Sequence, residues 1–114
     1  MDIKIVTERI TIKDLENLAK TLYTSMIKGV VDINKEIVAF GGEYHIDANN
    51  ILINSGSNQS DLWGFNIIFN EPRESWIEYT SLINIRPQAM NFDMEVQDKS
   101  IRDKMKEIIN SKIV

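Results

Sequence analysis

The 114-residue chain contains no cysteine. That excludes disulfide staples, thiolate catalysis and cysteine-ligated zinc, and it fits a reducing cytoplasm. Histidine occurs once, at position 45, so the inventory for acid–base or metal chemistry is thin. No apolar run approaches the roughly 18 residues of a membrane span. The opening stretch "MDIKIVTERITIKD" lacks both the basic n-region and the apolar h-region of a signal peptide. A cytoplasmic chain without membrane contact is expected. Gly-x-x-x-x-Gly-Lys-Ser/Thr, the phosphate-cradling loop, is absent, as is the Gly-x-Ser-x-Gly nucleophile elbow. A net charge of −4 argues against nucleic-acid partners, which draw most of their affinity from phosphate neutralisation. Basic residues concentrate late: from Asp98 onward five Lys/Arg stand against three acids.

What is present is ordinary globular material, 43% hydrophobic and 26% charged, in a chain long enough to bury a core unaided. A single domain spanning residues 1–114 is expected. Thr11, with Asp14 three residues on, reads as a capped helix start. Ile12, Leu15, Leu18, Ala19 and Leu22 then recur at helical spacing. Ahead of it, Ile3 to Val6 is an edge strand or an extended lead-in. Two β-branched runs, roughly Met26 to Ile33 and Glu36 to Phe40, predict a hairpin around Asn34-Lys35, where Asn tolerates positive φ. Gly41-Gly42 breaks the second run. Asp47 can cap a short helix closed by Gly56, although a strand through Ile51 to Ile53 is the alternative.

A second hairpin is predicted around residues 71–75. Alternation places Trp63, Phe65, Ile67, Phe69, Ile77, Tyr79, Ile83 and Ile85 on one face. Asn66, Trp76, Glu78, Thr80, Leu82, Asn84 and Arg86 fall on the other. Pro87 ends the strand, because it cannot donate to a ladder. Asp98 caps a last helix whose Ile101, Met105, Ile108 and Ile109 share a face, with Lys99, Arg102 and Lys106 opposite. The whole predicts an α+β fold: an antiparallel sheet of about four strands, with the N- and C-terminal helices packed on one face.

Three constellations could carry chemistry. In an extended "GGEYHID", Glu43, His45 and Asp47 would point to one side, where two carboxylates and an imidazole could hold zinc or manganese or raise the pKa of His45. The ordinary alternative is that Asp47 caps a helix and His45 faces water. The loop "SGSNQSD" offers Ser57, Gln59 and Asp61 beside Trp63, and backbone amides able to cradle an anion. It also reads as a solvated loop anchored by a core tryptophan. The outer face of the second hairpin, with Asn66, Asn84 and Arg86 among Trp and Leu, could be a ligand or partner surface or simply the wet side of a sheet.

The segments "GGEYHID", "GSNQSDLWGFN" and "SLINIRP" resemble a small bacterial and archaeal domain family of unknown function, with a similar length and order of segments. Gly56, Ser57, Gln59, Asp61, Leu62, Trp63, Gly64 and Asn66 match its most specific stretch, GS-x-Q-x-DLWG-x-N. After "NIRP" the family pattern continues into a Gly-Asn and arginine-containing segment. Here that region reads "QAMNFDMEV", keeping Asn91 without the glycine or the arginines. The resemblance supports the domain unit and implies no chemistry.

Two functional readings follow. One is a non-catalytic binding module that uses the open sheet face and the Gly56–Asp61 loop to take a small ligand or a protein partner. The other is a small metal-assisted hydrolase built on His45 with Glu43, Asp47 and Asp61. Neither reading names a cofactor. Under the second, His45 and Asp61 must meet in one cleft.

Overall fold

The structure, a computed structural model, describes residues 2–20 and 22–114. Its centre is a five-stranded, wholly antiparallel sheet made from β1 (Ile3–Val6), β2 (Met26–Asp32), β3 (Ile37–Gly41), β4 (Leu62–Ile68) and β5 (Ile77–Glu78). Their order across the sheet is β1-β3-β2-β4-β5. Three α-helices accompany the sheet: α1 (Ile12–Ala19), α2 (His45–Asn54) and α3 (Lys99–Lys112). The fifth strand, beyond the expected four, is β1. Its Ile3 to Val6 pair with Gly41 to Val38 of β3.

Alternation divides the sheet into two faces. Ile27 and Val31 of β2, Val38 and Phe40 of β3, and Trp63, Phe65 and Ile67 of β4 form the larger core with Leu15 and Ala19 of α1 and Met105, Ile108 and Ile109 of α3. Phe40 and Phe65 meet edge-on at its centre, their centroids 5.8 Å apart. The terminal helices thus share a face, as their apolar stripes require. Both caps form. Asp14 N donates to Thr11 Oγ1, and Ser100 N and Ile101 N donate to Asp98 Oδ1. Helix α1 stops at Ala19, which leaves Leu22 beyond the stripe and exposed. The C-terminus is tied to the start of α1 by Val114 N→Ile10 O and Ile10 N→Lys112 O.

The other sheet face is not open, contrary to the expectation. Helix α2 carries the chain from β3 across to β4 and lays Ala48 and Leu52 on Val30, Ala39 and Leu62. Helices therefore stand on both faces. The uninterrupted apolar runs "VV" at 30–31 and "IVAF" at 37–40 are the reason, since strands buried on both sides do not alternate. The 45–54 segment is a helix rather than a strand. It begins two residues before Asp47, which caps it from the third position by accepting from Tyr44 N at 3.2 Å. Gly41 and Gly42, at φ +108° and +91°, make the reversal that L side chains resist.

Two further local expectations give way. The left-handed residue of the β2–β3 turn is Glu36 (φ 56°), because Asn34 N and Lys35 N are both held by the Asp32 carboxylate. The second hairpin keeps its pairing only at Asn66↔Glu78 and Ile67↔Ile77. A 3₁₀ turn at Arg73–Ser75 resets the phase there. Trp76 enters the larger core with its Nε1 donating to Asn110 Oδ1 at 3.1 Å. Past Glu78 the chain leaves the sheet. It turns through Leu82–Asn84, so Ile83 packs on the α2 side and Ile85 is exposed.

Candidate functional site

The segment that leaves the sheet, residues 79–96, faces the start of α2 across the end of β4. Gly64 permits this approach: a Cβ there would lie 2.5 Å from that of Ser81. Between the two walls lies a cleft of about 460 Å³. Ile46, Leu82, Ile83 and Met94 make its sides apolar, and Lys28, His45 and Asn66 bring polar groups to it. A second cleft of about 480 Å³ adjoins it, sharing Ile46 and Ile83, and ends at Arg86 and the Gln59–Ser60 rim of the Gly-Ser loop. Together they form one groove, with Lys28 and Asn66 at one end and Arg86 at the other.

His45 is the first residue of α2, and its side chain reaches down to the sheet. Nε2 lies 2.8 Å from the Phe65 carbonyl oxygen. A carbonyl only accepts, so the neutral ring carries its proton on Nε2. Burial lowers the pKa of His45 below its ordinary 6.5, and the nearby Lys28 charge pushes the same way. The Phe65 carbonyl and the Asn66 side chain partly oppose this. Asn66 is itself buried. Its Nδ2 donates to Glu78 Oε1 and Thr80 O, both at 3.3 Å, while its Oδ1 has no well-formed partner. The ammonium of Lys28 stands 5.4 and 5.6 Å from the ring centres of Tyr23 and Tyr44, within the range of cation–π attraction. Among the described residues the only ion pair is Lys99–Asp103, so Lys28 has no carboxylate partner.

At the far end, Arg86 Nη2 donates to Leu62 O at 2.6 Å and Ile83 O at 3.1 Å. Its guanidinium lies 4.3 Å from the Trp63 ring centre. It too has no carboxylate partner among the described residues.

The structure separates most of the residues that the sequence groups together. Glu43, His45 and Asp47 do not converge. The chain is helical from His45 onward rather than extended, Asp47 closes the helix start, and His45 turns to Phe65. Among the described residues no group of three or more His, Asp or Glu side chains is close enough to hold a metal ion. His45 and Asp61 do not meet either. His45 sits at the level of Phe65 and Asn66, whereas Asp61 precedes the whole of β4. Ser57 is buried and donates to Asp32 Oδ2 at 2.6 Å. Gln59 exchanges two amide hydrogen bonds with Asn49. Asn84 is buried against Gly64. Of the six proposed binding residues, Asn66, Gln59 and Arg86 line the groove. Lys28 went unnoticed. Its signal is a lone lysine at an alternating position inside the apolar run "MIKGVV".

An antiparallel sheet sandwiched between two helices and one, with a groove where β4 outruns β5, defines a mixed α/β domain. The chain belongs to the family described as "Protein of unknown function (DUF5674)", whose model matches residues 4–112. No curated protein and no solved structure matches it.

Proposed function

We propose that this protein is a non-catalytic binding module whose binding surface is the groove between α2 and the 79–96 segment. The observation that carries the reading is the pair of adjoining clefts with exposed apolar lips. Ile46, Leu82 and Ile85 are 47%, 70% and 45% exposed, and beside them stands a lysine without an acid partner. Large exposed apolar side chains that share a concavity mark binding sites. The Gly56–Asp61 loop keeps a place in this reading through Gln59 and Ser60 at the rim, while Ser57 serves the fold. The hydrolase reading has no such support, because its four residues are not assembled.

An NMR titration with 8-anilinonaphthalene-1-sulfonate, an apolar anion, tests the proposal. Amide shifts are expected at residues 44–46 and 80–85, and weaker binding is expected for Leu82→Asn, which removes the apolar lip without adding a charge. Shifts confined to other surfaces, or a Leu82→Asn variant that binds the dye like the parent, would overturn it.

A further inference from the structure

Resting on that reading, we infer that the groove's natural occupant is an extended peptide segment of a partner protein, apolar in its middle and acidic at both ends. Lys28 reads one acid and Arg86 the other.

The spacing comes from the sheet itself. Lys28 is paired with Asn66 on β4, and Arg86 is bonded to the carbonyl of Leu62 on the same strand. Four residue steps along the strand separate the two levels, about 13 Å at roughly 3.3 Å per residue. An extended peptide with three residues between its acids spans that distance and turns both acids to the same side. Four steps of helix cover only about 6 Å and could not reach both cations.

The charges on the groove's own walls are consistent with this. Among the described residues neither cation pairs with a carboxylate, and three acids of the surrounding strands and helix have partners of their own. Asp47 holds Tyr44 N, Glu78 accepts from Asn66, and Asp32 binds the β2–β3 turn and Ser57. Between the cations the walls are the side chains of Ile46 and Ile83, common to both clefts. A fatty carboxylate would satisfy the apolar walls and one cation but leave the other without an anion.

The experiment uses fluorescence anisotropy with the labelled pentapeptide Glu-Leu-Ile-Val-Glu, its two single-Gln forms and its double-Gln form. The diacid is expected to bind about tenfold or more tighter than the double-Gln peptide at low salt, the equivalent of one well-placed charge contact. Added salt should erase the difference. Lys28→Gln should remove the preference for acid at one peptide end and keep it at the other. Arg86 also holds the backbone of Leu62, so its end is read from the single-Gln peptides against parent and Lys28→Gln rather than from an Arg86 variant. Equal binding of diacid and double-Gln peptides would overturn the inference. So would a Lys28→Gln variant that loses its preference at both ends alike. If the dye still binds at the groove while no peptide does, the inference falls and the binding-module reading stands. If neither binds there, both fall.

Discussion

The side-chain amide of Asn84 hydrogen-bonds both backbone groups of Gly64, accepting from its N–H at 2.8 Å and donating to its C=O at 3.0 Å. Strand β5 pairs with β4 only at Asn66 and Ile67, so the earlier part of that β4 edge would otherwise be buried and unpaired. Asn84, fully buried, stands in for the missing strand. Asn91 braces it by donating to its carbonyl at 2.8 Å. Replacing Asn84 with Ala orphans both Gly64 groups, at about 1–3 kcal/mol each. Urea unfolding of Asn84→Ala is therefore expected to show a loss of about 3 kcal/mol. A loss below about 1 kcal/mol would mean that water replaces the amide freely.

Trp63 is buried on the larger core face, as its alternation with Phe65 and Ile67 predicts. Trp63→Ala is expected to cost about 3–5 kcal/mol, the usual range for a large buried aromatic. Trp63→Phe should cost much less, because the indole N–H has no partner to orphan. Denaturant midpoints of the two variants check this. Equal losses would show that the indole N–H is satisfied in solution.

In the Gly-Ser loop the structural work falls on Ser57 rather than Asp61. Ser57 donates to the buried carboxylate of Asp32, a charged acceptor, and such bonds contribute about 1.5–3 kcal/mol. Among the described residues the Asp61 carboxylate makes no hydrogen bond; its backbone is used instead, the carbonyl accepting from Ile33 N at 3.0 Å and the N–H donating to Asn58 O at 3.0 Å. Ser57→Ala should lower the melting temperature by several degrees, at roughly 4–8 °C per kcal/mol in a domain near this size. Asp61→Asn should leave it nearly unchanged. The reverse order would relocate the anchor of the loop to Asp61.

Local rules reached as far as local signals do. Thr11, Asp98 and Gly56 cap or close helices because short polar side chains and glycine act within three residues of themselves. The two β-branched runs pair because register follows the pattern of burial. The side of the sheet taken by α2 depends on long-range packing, and its only sequence trace was the lack of alternation in β2 and β3. The phase of the second hairpin was lost at Arg73–Ser75, where a 3₁₀ turn shifts Trp76 from the outer face to the core. The candidate site was legible in part. Asn66 and Arg86 line the groove, whereas Lys28 and the apolar wall at Ile83 and Met94 owe their place to the chain leaving the sheet after Glu78.

His45 provides the pH dependence, and its direction opposes the one expected from flanking carboxylates. A carboxylate partner would raise the imidazole pKa, but burial dominates here and lowers it below 6.5. The neutral ring, donating from Nε2 to Phe65 O, is the form that the fold accommodates. In the unfolded chain the imidazole titrates near 6.5. Above that pH both states carry a neutral ring, and its full contribution to stability is present. As pH falls below about 6.5, the unfolded state takes up the proton first and stability declines. The decline continues down to the lower folded pKa and then levels off. Its size is about 1.4 kcal/mol for each unit by which the fold lowers the pKa. An NMR titration of the ring should give a midpoint below 6.5, unchanged in Asp61→Asn, since Asp61 precedes β4 and His45 sits at Phe65 in its middle. Thermal unfolding at pH 7.5 and pH 5 should show the parent losing more stability than His45→Gln, which has no proton to take up in this range. A midpoint above 6.5, or a midpoint moved by Asp61→Asn, would place a carboxylate beside the ring after all and return His45 to a charged site.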